Sequence, residues 1–364
     1  MFLLLALLLG EPFFDAKNRP SEYAGPDREL PEAQVAEVLL GYFGPSDPAD
    51  ADGGDAWIAA QMAIDEANRG GGHQGKLFRL VPAWSDQPWK SGAAQVARLA
   101  YRDRVWAIVG GPDGATTHLA EQVAAKARLP LISPTSTDRS AHLASVPWVF
   151  SVLPGDHLIA PLVADELIRV GAVDNAAILM AEDHDARQFV FELQQAFKTR
   201  RVQPRFVFAA GGEHADGKAA IAQTISVRPA AVIVAADSRK SAEWVKSLRQ
   251  GGYAGRIFGS ATMGQRSFSE VGPAAADCVF PQLYAPAEDR VFAPAFERRR
   301  GHLPDYAAAA TYDSVRLLVA AVRQSGLNRA RLGDAIRQLS PWSGVTGEIR
   351  WDGLGSNTRQ PRLR

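Results

Sequence analysis

From residue 34 onward, short apolar runs alternate with longer segments whose apolar residues recur at helical spacing. The first run covers residues 35–43, and residues 57–67 follow with apolar side chains on one helical face, with Asp55 as a plausible cap. Strand-then-helix units of this kind build parallel sheets covered by helices. The pattern therefore predicts an α/β fold.

The strand-helix unit repeats in two series. The first series begins with the run at residues 35–43 and continues with strands at residues 77–84, 105–109 and 131–133, with helices at residues 91–101 and 116–127. In the second, strands are predicted at residues 176–180, 205–208, 231–235 and 256–259, with helices starting near Asp185, Lys218 and Ser238. Four strands in each series predict two similar Rossmann-like lobes, each a parallel sheet flanked by helices.

Three extended segments are expected to join the lobes as a hinge. Residues 148–156 form the first crossing, residues 283–286 follow a strand at residues 278–282, and residues 345–351 alternate like a strand that closes on the second lobe. Helices from Ala307 and Arg331 return to the first lobe. The predicted division is residues 34–154 plus 286–340 for lobe 1, and residues 155–285 plus 341–364 for lobe 2.

The N-terminal segment resembles a signal peptide in part. Residues 1–9 are apolar but too few to span a bilayer, which needs about 20. A Lys/Arg-rich start is missing, and residues 10–12 make a poor cleavage site. Residues 12–31 are rich in proline and charge. We interpret residues 1–33 as an incomplete export signal and a tether.

Composition narrows the possible chemistry. Lys plus Arg and Asp plus Glu both number 40, so no global charge favours nucleic acid or an anionic membrane. The single cysteine, Cys278, excludes an intramolecular disulfide and a cysteine-based zinc site, and it is expected to be a small buried hydrophobe. The seven histidines show no HExxH motif or paired spacing, so we predict no metal and no cofactor.

Two loops at the ends of predicted first-lobe strands are candidate ligand contacts, because ligands of open parallel sheets bind there. The first loop presents Gly114, Ala115 and Thr116, where glycine allows close approach and the free N–H groups of a starting helix attract a carboxylate. Alternatively, Thr116 or Thr117 only caps the helix. No glycine-rich nucleotide motif is present.

The second loop follows the strand at residues 131–133 and presents Thr135, Ser136 and Thr137. Hydroxyl groups donate and accept hydrogen bonds, so this run suits a carboxylate or a zwitterion. A plain polar turn is the alternative. The two loops together favour a polar ligand more than either does alone.

Several motifs, taken in order, resemble one known family. They are Gly-Tyr-Phe-Gly-Pro at residues 41–45, Ala-Ile-Asp-Glu-Ala-Asn-Arg-Gly-Gly at 63–71, Ile-Val-Gly-Gly at 108–111, Ile-Ser-Pro-Thr-Ser-Thr at 132–137 and Trp-Val-Phe-Ser-Val-Leu-Pro-Gly-Asp at 148–156. Their joint order resembles the branched-chain amino acid and amide-binding proteins of ABC transporters, which are type I periplasmic solute-binding proteins. The resemblance covers residues 35 to 353.

The resemblance implies a non-enzymatic, extracytoplasmic monomer that closes two lobes on an amino acid, an amide or a related compound. Its partners would be the permease subunits of an ABC importer. By position, the loops at Thr116 and Thr135 would hold the carboxylate of the ligand. Asp156 would face the amino group, or it would simply cap its helix.

Departures from the family pattern concern the ligand. The Tyr-Gly pair that the family often has after Met180 is replaced by residues 181–185, and no acid occurs near residues 259–262, where amino-acid binders commonly place a glutamate. Asp185 and Asp237 follow second-lobe strands and are substitutes, or else helix caps. If both face the cleft, the ligand should be cationic or rich in donors.

Trp57, with Trp84, would add an aromatic wall to the site, unless it packs in the core. Catalysis is disfavoured because no Gly-x-Ser-x-Gly elbow is present, and His118, His157 and His184, although near cleft loops, are isolated in the sequence. A ligand-sensing receptor or regulator subunit of the same fold is the alternative to transport.

Overall fold

The computed structural model describes residues 34–210 and 217–364. Two parallel five-stranded sheets form its frame, which confirms the predicted α/β class. The fifth strand of the second sheet begins the strand predicted at residues 278–282, and the fifth strand of the first sheet was not predicted. The predicted export signal and tether, residues 1–33, lie outside the described residues. Within the described part, no helix has both the length and the apolar character needed to cross a membrane.

The first sheet contains β1 (Val38–Phe43), β2 (Phe78–Ala83), β3 (Ala107–Gly110), β4 (Leu131–Ser133) and β5 (Val149–Ser151). Neighbouring strands are parallel in the order β2-β1-β3-β4-β5. Its helices are α1 (Gly54–Arg69), α2 (Ala93–Ala97) and α3 (Gly114–Ala127), and wider helical turns at Pro88–Gly92 and Arg98–Arg102 extend α2. Because apolar side chains pack on both faces, β3 is buried along its whole length.

The second sheet repeats the plan. Its strands are β6 (Ala176–Met180), β7 (Phe206–Ala209), β8 (Ala231–Ala235), β9 (Arg256–Gly259) and β10 (Cys278–Val279), parallel in the order β10-β9-β8-β6-β7. Helices α4 (Asp156–Arg169), α5 (His184–Arg200), α6 (Lys218–Ser226), α7 (Ser238–Gln250) and α8 (Arg266–Ser269) alternate with them. Cys278 is buried, as predicted, and burial raises the pKa of its thiol to about 11.

The first predicted crossing, residues 148–156, begins as a strand. β5 pairs with β4, with Leu131 opposite Val149 and Ser133 opposite Ser151, and the chain leaves the sheet only afterwards. A buried three-residue strand and an extended linker have the same sequence pattern. Only pairing with a distant strand shows that the segment is a strand.

The C-terminal helices α9 (Phe292–Arg300), α10 (Tyr306–Ser325) and α11 (Arg329–Gln338) include two that pack on first-sheet elements. The Tyr312 hydroxyl donates to Glu66 of α1 at 2.6 Å. The buried guanidinium of Arg329 donates to the carbonyl oxygens of Ala100 (2.9 Å) and Val105 (2.8 Å). These bonds fix α10 and α11 to the first sheet.

The strand predicted at residues 345–351 is part of a short hairpin of β12 (Trp342–Gly344) and β13 (Gly347–Ile349). Its contacts differ from the expectation, because Trp351 donates to the Ser151 carbonyl at 2.9 Å and packs on Phe150, both in the first sheet. The last strand, β14 (Arg362–Leu363), pairs with β11 (Pro281–Gln282) beside the second sheet. Alternation predicts a strand, but it does not select the partner.

Candidate functional site

The first turns of α3, α4 and α5 meet at the carboxyl ends of β3, β5 and β6. The backbone N–H of Gly114 in α3 donates to Asp185 of α5 across a 3.0 Å contact, and the Thr137 hydroxyl donates to Asp156 of α4 at 3.1 Å. We call the region between these three helix starts the cleft. The predicted pair of first-sheet loops therefore lies beside a second-sheet helix.

Thr116 closes a capping box at the start of α3. The Asp113 carboxylate accepts a hydrogen bond from the Thr116 N–H at 2.7 Å, and the Thr116 hydroxyl oxygen accepts from the Asp113 N–H at 3.3 Å. The Thr116 hydroxyl also donates to the Asp113 carboxylate at 2.5 Å. Thr117 donates its hydroxyl to the Asp113 carbonyl at 2.7 Å. Both hydroxyls are used within the loop and its helix. Ala115 is partly buried in the same first turn.

The run Thr135, Ser136 and Thr137 divides its hydroxyls between structure and site. Thr135 donates to the Gly111 carbonyl at 3.2 Å, and Ser136 accepts from the Asp138 N–H at 3.1 Å. Only Thr137 reaches a carboxylate in the cleft, that of Asp156. The first two therefore shape the loop, and Thr137 adjoins the candidate binding region.

Asp156 is buried at the first position of α4, with 4% of its surface exposed. It makes no capping bond; its N–H donates to the Thr137 carbonyl at 2.7 Å, and its Oδ2 accepts from the Thr137 hydroxyl. Its Oδ1 is inaccessible and has no hydrogen-bond partner among the described residues. Burial, together with the nearby Asp185 and Asp138 charges, raises the pKa of Asp156 well above its ordinary value.

Asp185 lies in the first turn of α5 but does not cap it, because Asp183 does so by accepting from the Ala186 N–H at 2.8 Å. Asp185 Oδ2 instead accepts from Gly114, and Oδ1 is inaccessible, with no partner in the described chain. A Cβ on Gly114 would lie 2.3 Å from that Oδ1, so only glycine fits this close approach. Burial raises the pKa of Asp185 to about 7, and the Asp113 charge adds to it.

Asp237 and Trp57 have the structural roles that the sequence left open as alternatives to ligand binding, a helix cap and a core residue. Asp237 caps α7 by accepting from the Lys240 N–H at 2.8 Å, and its other oxygen lies 3.3 Å from the Lys240 ammonium. Trp57 is buried against Tyr42, with 5.0 Å between ring centroids. In this structure one is an exposed helix cap and the other is part of the first-sheet core.

A histidine-carboxylate cluster at the cleft was not anticipated from the sequence. Asp138 Oδ2 lies 3.0 Å from His118 Nε2 and 2.7 Å from His184 Nε2, although 66 residues separate the two histidines. The hydroxyl of Ser140 lies 2.8 Å from His118 Nε2. The only sequence signal was that both histidines fall in predicted first helical turns, near cleft loops.

The cluster is strongly polarised. Hydrogen bonds to Asp138 and Glu121 raise the pKa of His118 to about 9. Burial alone would raise the pKa of Asp138, but hydrogen bonds from His118, His184 and Ser140 outweigh it and hold that pKa far below its usual range. The same carboxylate raises the pKa of His184. In the absence of other ligands, Asp138 is therefore an anion between two imidazoles.

Tyr306, the first residue of α10, belongs to the same electrostatic region. Burial raises the pKa of its phenol well above the ordinary value, and the charges of Asp305, Asp156 and Asp185 add to the effect. The phenol therefore stays protonated and is available as a hydrogen-bond donor. It is neutral in a region that it shares with the carboxyl groups of Asp305, Asp156 and Asp185.

A second region lies between the N-terminus of α1 and helices α7 and α8. There an open cavity of about 530 Å³ is lined mainly by charged and small residues. Arg239 lies 3.0 Å from Asp52, while Arg300 and Arg266 lie 2.8 and 3.6 Å from Asp55. The pairs of Arg239 with Asp52 and of Arg266 with Asp55 connect the two halves of the molecule at the edge of the cleft, whereas Arg300 and Asp55 both belong to the first half.

Two parallel sheets that meet at their carboxyl ends across a cleft define a cleft-type binding protein. The sequence profile described as periplasmic binding protein matches residues 39–361. The chain therefore belongs to the periplasmic binding protein family, a class of solute-binding proteins, and the resemblance seen in its motifs is confirmed.

One relative of known class shares part of its sequence with this chain. An amino acid binding protein of Pseudomonas aeruginosa is 27% identical over 150 residues, which are 41% of this chain and 40% of that relative. The match thus spans about two fifths of the relative's length.

Solved structures share the fold over most of the chain. The substrate-binding protein of a branched-chain amino acid transporter from Streptococcus pneumoniae, in complex with isoleucine, has a TM-score of 0.80 at 20% identity, covering 90% of this chain and 95% of that one. A solute-binding protein of an ABC transporter from R. palustris, in complex with benzoate, has a TM-score of 0.78 at 15% identity, covering 90% and 92%. The ligands of these two proteins differ, so the fold alone does not select the ligand.

Proposed function

We propose that this chain is an extracytoplasmic solute-binding protein that captures a small ligand carrying a protonated amine and presents it to the permease subunits of an ABC importer. The proposed lobes are built on residues 34–154 plus 286–340 and on residues 155–285, closing on the ligand from both sides. Of residues 341–364, which the sequence assigned to the second lobe, the hairpin contacts the first sheet through Trp351, and only β14 pairs beside the second sheet. Family membership supports the solute-binding role. The apolar run at residues 1–9 supports export.

The observation that carries the ligand class is the pair of unpartnered carboxylate oxygens. Oδ1 of Asp156 and Oδ1 of Asp185 are both inaccessible, and neither has a hydrogen-bond partner among the described residues. A buried polar atom without a partner costs about 1–3 kcal/mol, and more when it is charged. An ammonium group brings three donors and a positive charge, so one ligand could satisfy both oxygens.

The groups that the sequence assigned to a ligand carboxylate are engaged within the protein. The Gly114 N–H is occupied by Asp185, and the hydroxyls of Thr116 and Thr135 bond to their own loops. The Asp185 carboxylate thus takes the position at the α3 N-terminus that suits an anionic ligand group. This arrangement supports an amine, or an amide with an amine, rather than a free amino acid.

Matched ligand triads test the proposal. Leucine, 3-methylbutylamine and 4-methylpentanoate share one apolar chain and differ in whether they carry both charges, the amine or the carboxylate. Equivalent triads can be made on benzyl and n-propyl chains. We expect the amines to raise the melting temperature most, because binding to the native state stabilises it. Stabilisation by the acids alone, or by the amino acids above the amines, would contradict the proposal.

Isosteric variants locate the site. Asp156→Asn and Asp185→Asn should each weaken binding of the stabilising amine about 10- to 100-fold, since a hydrogen bond to a charged group contributes about 1.5–3 kcal/mol. Asp237→Asn is the matched control, because Asp237 caps α7 and pairs with Lys240. Calorimetric titration of the amine into the three variants measures these affinities. Unchanged affinity in the first two would remove those carboxylates from the site.

A further inference from the structure

Three metal-ligating side chains from separate segments converge at the cleft. His118 lies in the first turns of α3, Asp138 follows β4, and His184 begins α5. Their nearest nitrogen and oxygen atoms all lie within 4.8 Å of one another. Asp138 is buried, whereas the two imidazoles are about one quarter exposed, at 25% and 27%. The cluster is therefore rigid on its carboxylate side and accessible on its histidine side.

We propose that His118 Nε2, Asp138 Oδ2 and His184 Nε2 bind a divalent transition-metal ion of the zinc class. Two imidazole nitrogens and one carboxylate oxygen are a ligand set that zinc accepts, and three protein ligands leave a further position for water or a solute group. The proposal does not depend on the identity of the solute in the cleft, because it concerns a separate set of side chains.

An outer carboxylate orients one of the ligands. Glu121 is buried, and its Oε2 lies 3.3 Å from His118 Nδ1 on the side of the ring away from Asp138. A proton held on Nδ1 by Glu121 leaves the lone pair of Nε2 free for a metal. Asp138 is held in turn, since its Oδ1 accepts the Ser140 N–H at 2.7 Å.

The spacing of the ligand atoms is compatible with a metal between them. Metal bonds of about 2.0–2.2 Å place neighbouring ligand atoms roughly 3–3.5 Å apart. The separations here are 3.0 and 2.7 Å, the lengths of direct hydrogen bonds from the imidazoles to Asp138. A metal ion would replace the protons in those two bonds, with the imidazole nitrogens moving away from Asp138 Oδ2 by up to about 0.8 Å. The two imidazole nitrogens, which lie within 4.8 Å of one another, would move into the same range. The competing interpretation is a purely hydrogen-bonded bridge, which binds no metal.

The site would join the proposed lobes, because His118 and Asp138 come from the first and His184 from the second. Metal affinity should then depend on all three side chains being brought together, and each histidine should be required. His302 offers a matched control, since it is a partly exposed histidine, 23% accessible, paired with Asp55 outside the cluster.

The test uses the full chain after removal of metal with a chelator. Zinc chloride is titrated calorimetrically into wild type and into His118→Gln, His184→Gln, Glu121→Gln and His302→Gln. We expect one zinc per chain in wild type and in His302→Gln. Glu121→Gln should weaken binding about 10- to 100-fold and the two cluster histidine variants more than that. Cobalt(II) should give the visible absorption of a four-coordinate site in wild type and in His302→Gln. Neither His118→Gln nor His184→Gln should show that absorption.

Two results would overturn the site: no stoichiometric zinc binding by wild type, which would leave a hydrogen-bonded bridge, or zinc binding that His184→Gln does not weaken. His184→Gln is the deciding variant because its side chain is partly exposed and its loss leaves α5 capped by Asp183. Circular dichroism of the metal-free variants checks that they are folded.

Discussion

Aspartates at helix starts show how a neighbouring residue decides the role of a side chain. Asp237 accepts from the Lys240 N–H and caps α7, as one of the two sequence interpretations had it. Asp185 is free of that task because Asp183, two residues earlier, caps α5. Asp156 makes no cap bond because Gly155 precedes it at the cap position of α4. The residue type alone allowed both roles in each case.

His142 is a second residue whose environment controls its charge. It is buried with its Nε2 2.6 Å from the Ser151 hydroxyl, and burial lowers the pKa of its imidazole to about 4, although Asp352 and Asp138 oppose that shift and His118 adds to it. An unfolded histidine has a pKa near 6.5. Between these values the unfolded chain binds the extra proton, so this residue makes the protein less stable as pH falls from 6.5 to about 4.

His142→Gln should remove that dependence. The unfolding free energy of wild type relative to the variant should fall by up to about 3 kcal/mol between pH 7 and pH 4, because one pKa unit corresponds to about 1.4 kcal/mol. Denaturant titrations at both pH values give the double difference, in which the other titrating groups cancel. Parallel stability profiles for the two proteins would show that His142 does not titrate in this way.

At the scale of elements, side chains of distant helices hold the short strands. The hairpin of β12 and β13 is anchored by Asp313 of α10, which accepts from the N–H groups of Val345 and Thr346, both at 2.9 Å, and from the Thr346 hydroxyl at 2.7 Å. Three-residue strands contribute little stability by themselves. The hairpin therefore depends on a carboxylate about 30 residues earlier in the chain.

Asp313→Ala should lower the unfolding free energy by about 3 kcal/mol or more, since it leaves three donors, two of them on the backbone, without their acceptor. Asp237→Ala serves as a comparison, because loss of an exposed helix cap costs typically about 1 kcal/mol. Chemical denaturation of both variants measures the difference. An equal cost for the two substitutions would mean that the hairpin does not need the buried carboxylate.

At the scale of the molecule, polar contacts link the two halves across the cleft. They include Arg239 with Asp52, His184 with Asp138, and the Gly114 N–H with Asp185. Exposed ion pairs contribute at most about 1 kcal/mol each. Under the proposed function, the exposed pair of Arg239 with Asp52 would be lost on opening at little cost, whereas the buried bonds at Asp138 and Asp185 would favour the closed arrangement.

Gly114→Ala should favour the separated arrangement, because its Cβ would meet Asp185 Oδ1 at 2.3 Å. The radius of gyration from small-angle scattering should rise, and affinity for the stabilising amine should fall about tenfold or more, equal to about 1.4 kcal/mol. The unfolding free energy should fall as well, because the same Cβ would lie 2.8 Å from Asp138 Cβ on the first-sheet side of the cleft.

Gly333→Ala is the control for that substitution. Gly333 is also helical, and its nearest neighbour to an added Cβ lies at 3.5 Å, an ordinary van der Waals distance. Both scattering and affinity should match wild type. Unchanged scattering and affinity in Gly114→Ala as well would show that the contact with Asp185 does not control closure.

The sequence by itself determined the α/β class, the order of strands and helices and the family, because apolar periodicity and local motifs are properties of neighbouring residues. It also identified Asp185 and Thr137 as candidates, since each follows a predicted strand, and Asp156 through the family resemblance. The sequence did not predict the hydrogen-bond partners of these residues. Nor did it predict the cluster of His118, Asp138 and His184, whose members lie 20 and 46 residues apart.

Only the tertiary structure decided which short extended segments join a sheet, and which aspartate oxygens are left without partners. β5 needed β4 beside it, and the hairpin of β12 and β13 needed Asp313. The occupation of the α3 N-terminus by Asp185 required two sheets to meet at their carboxyl ends. These are distances between residues far apart in the chain, and burial, which sets the cost of an unpaired charge, exists only once the chain has folded.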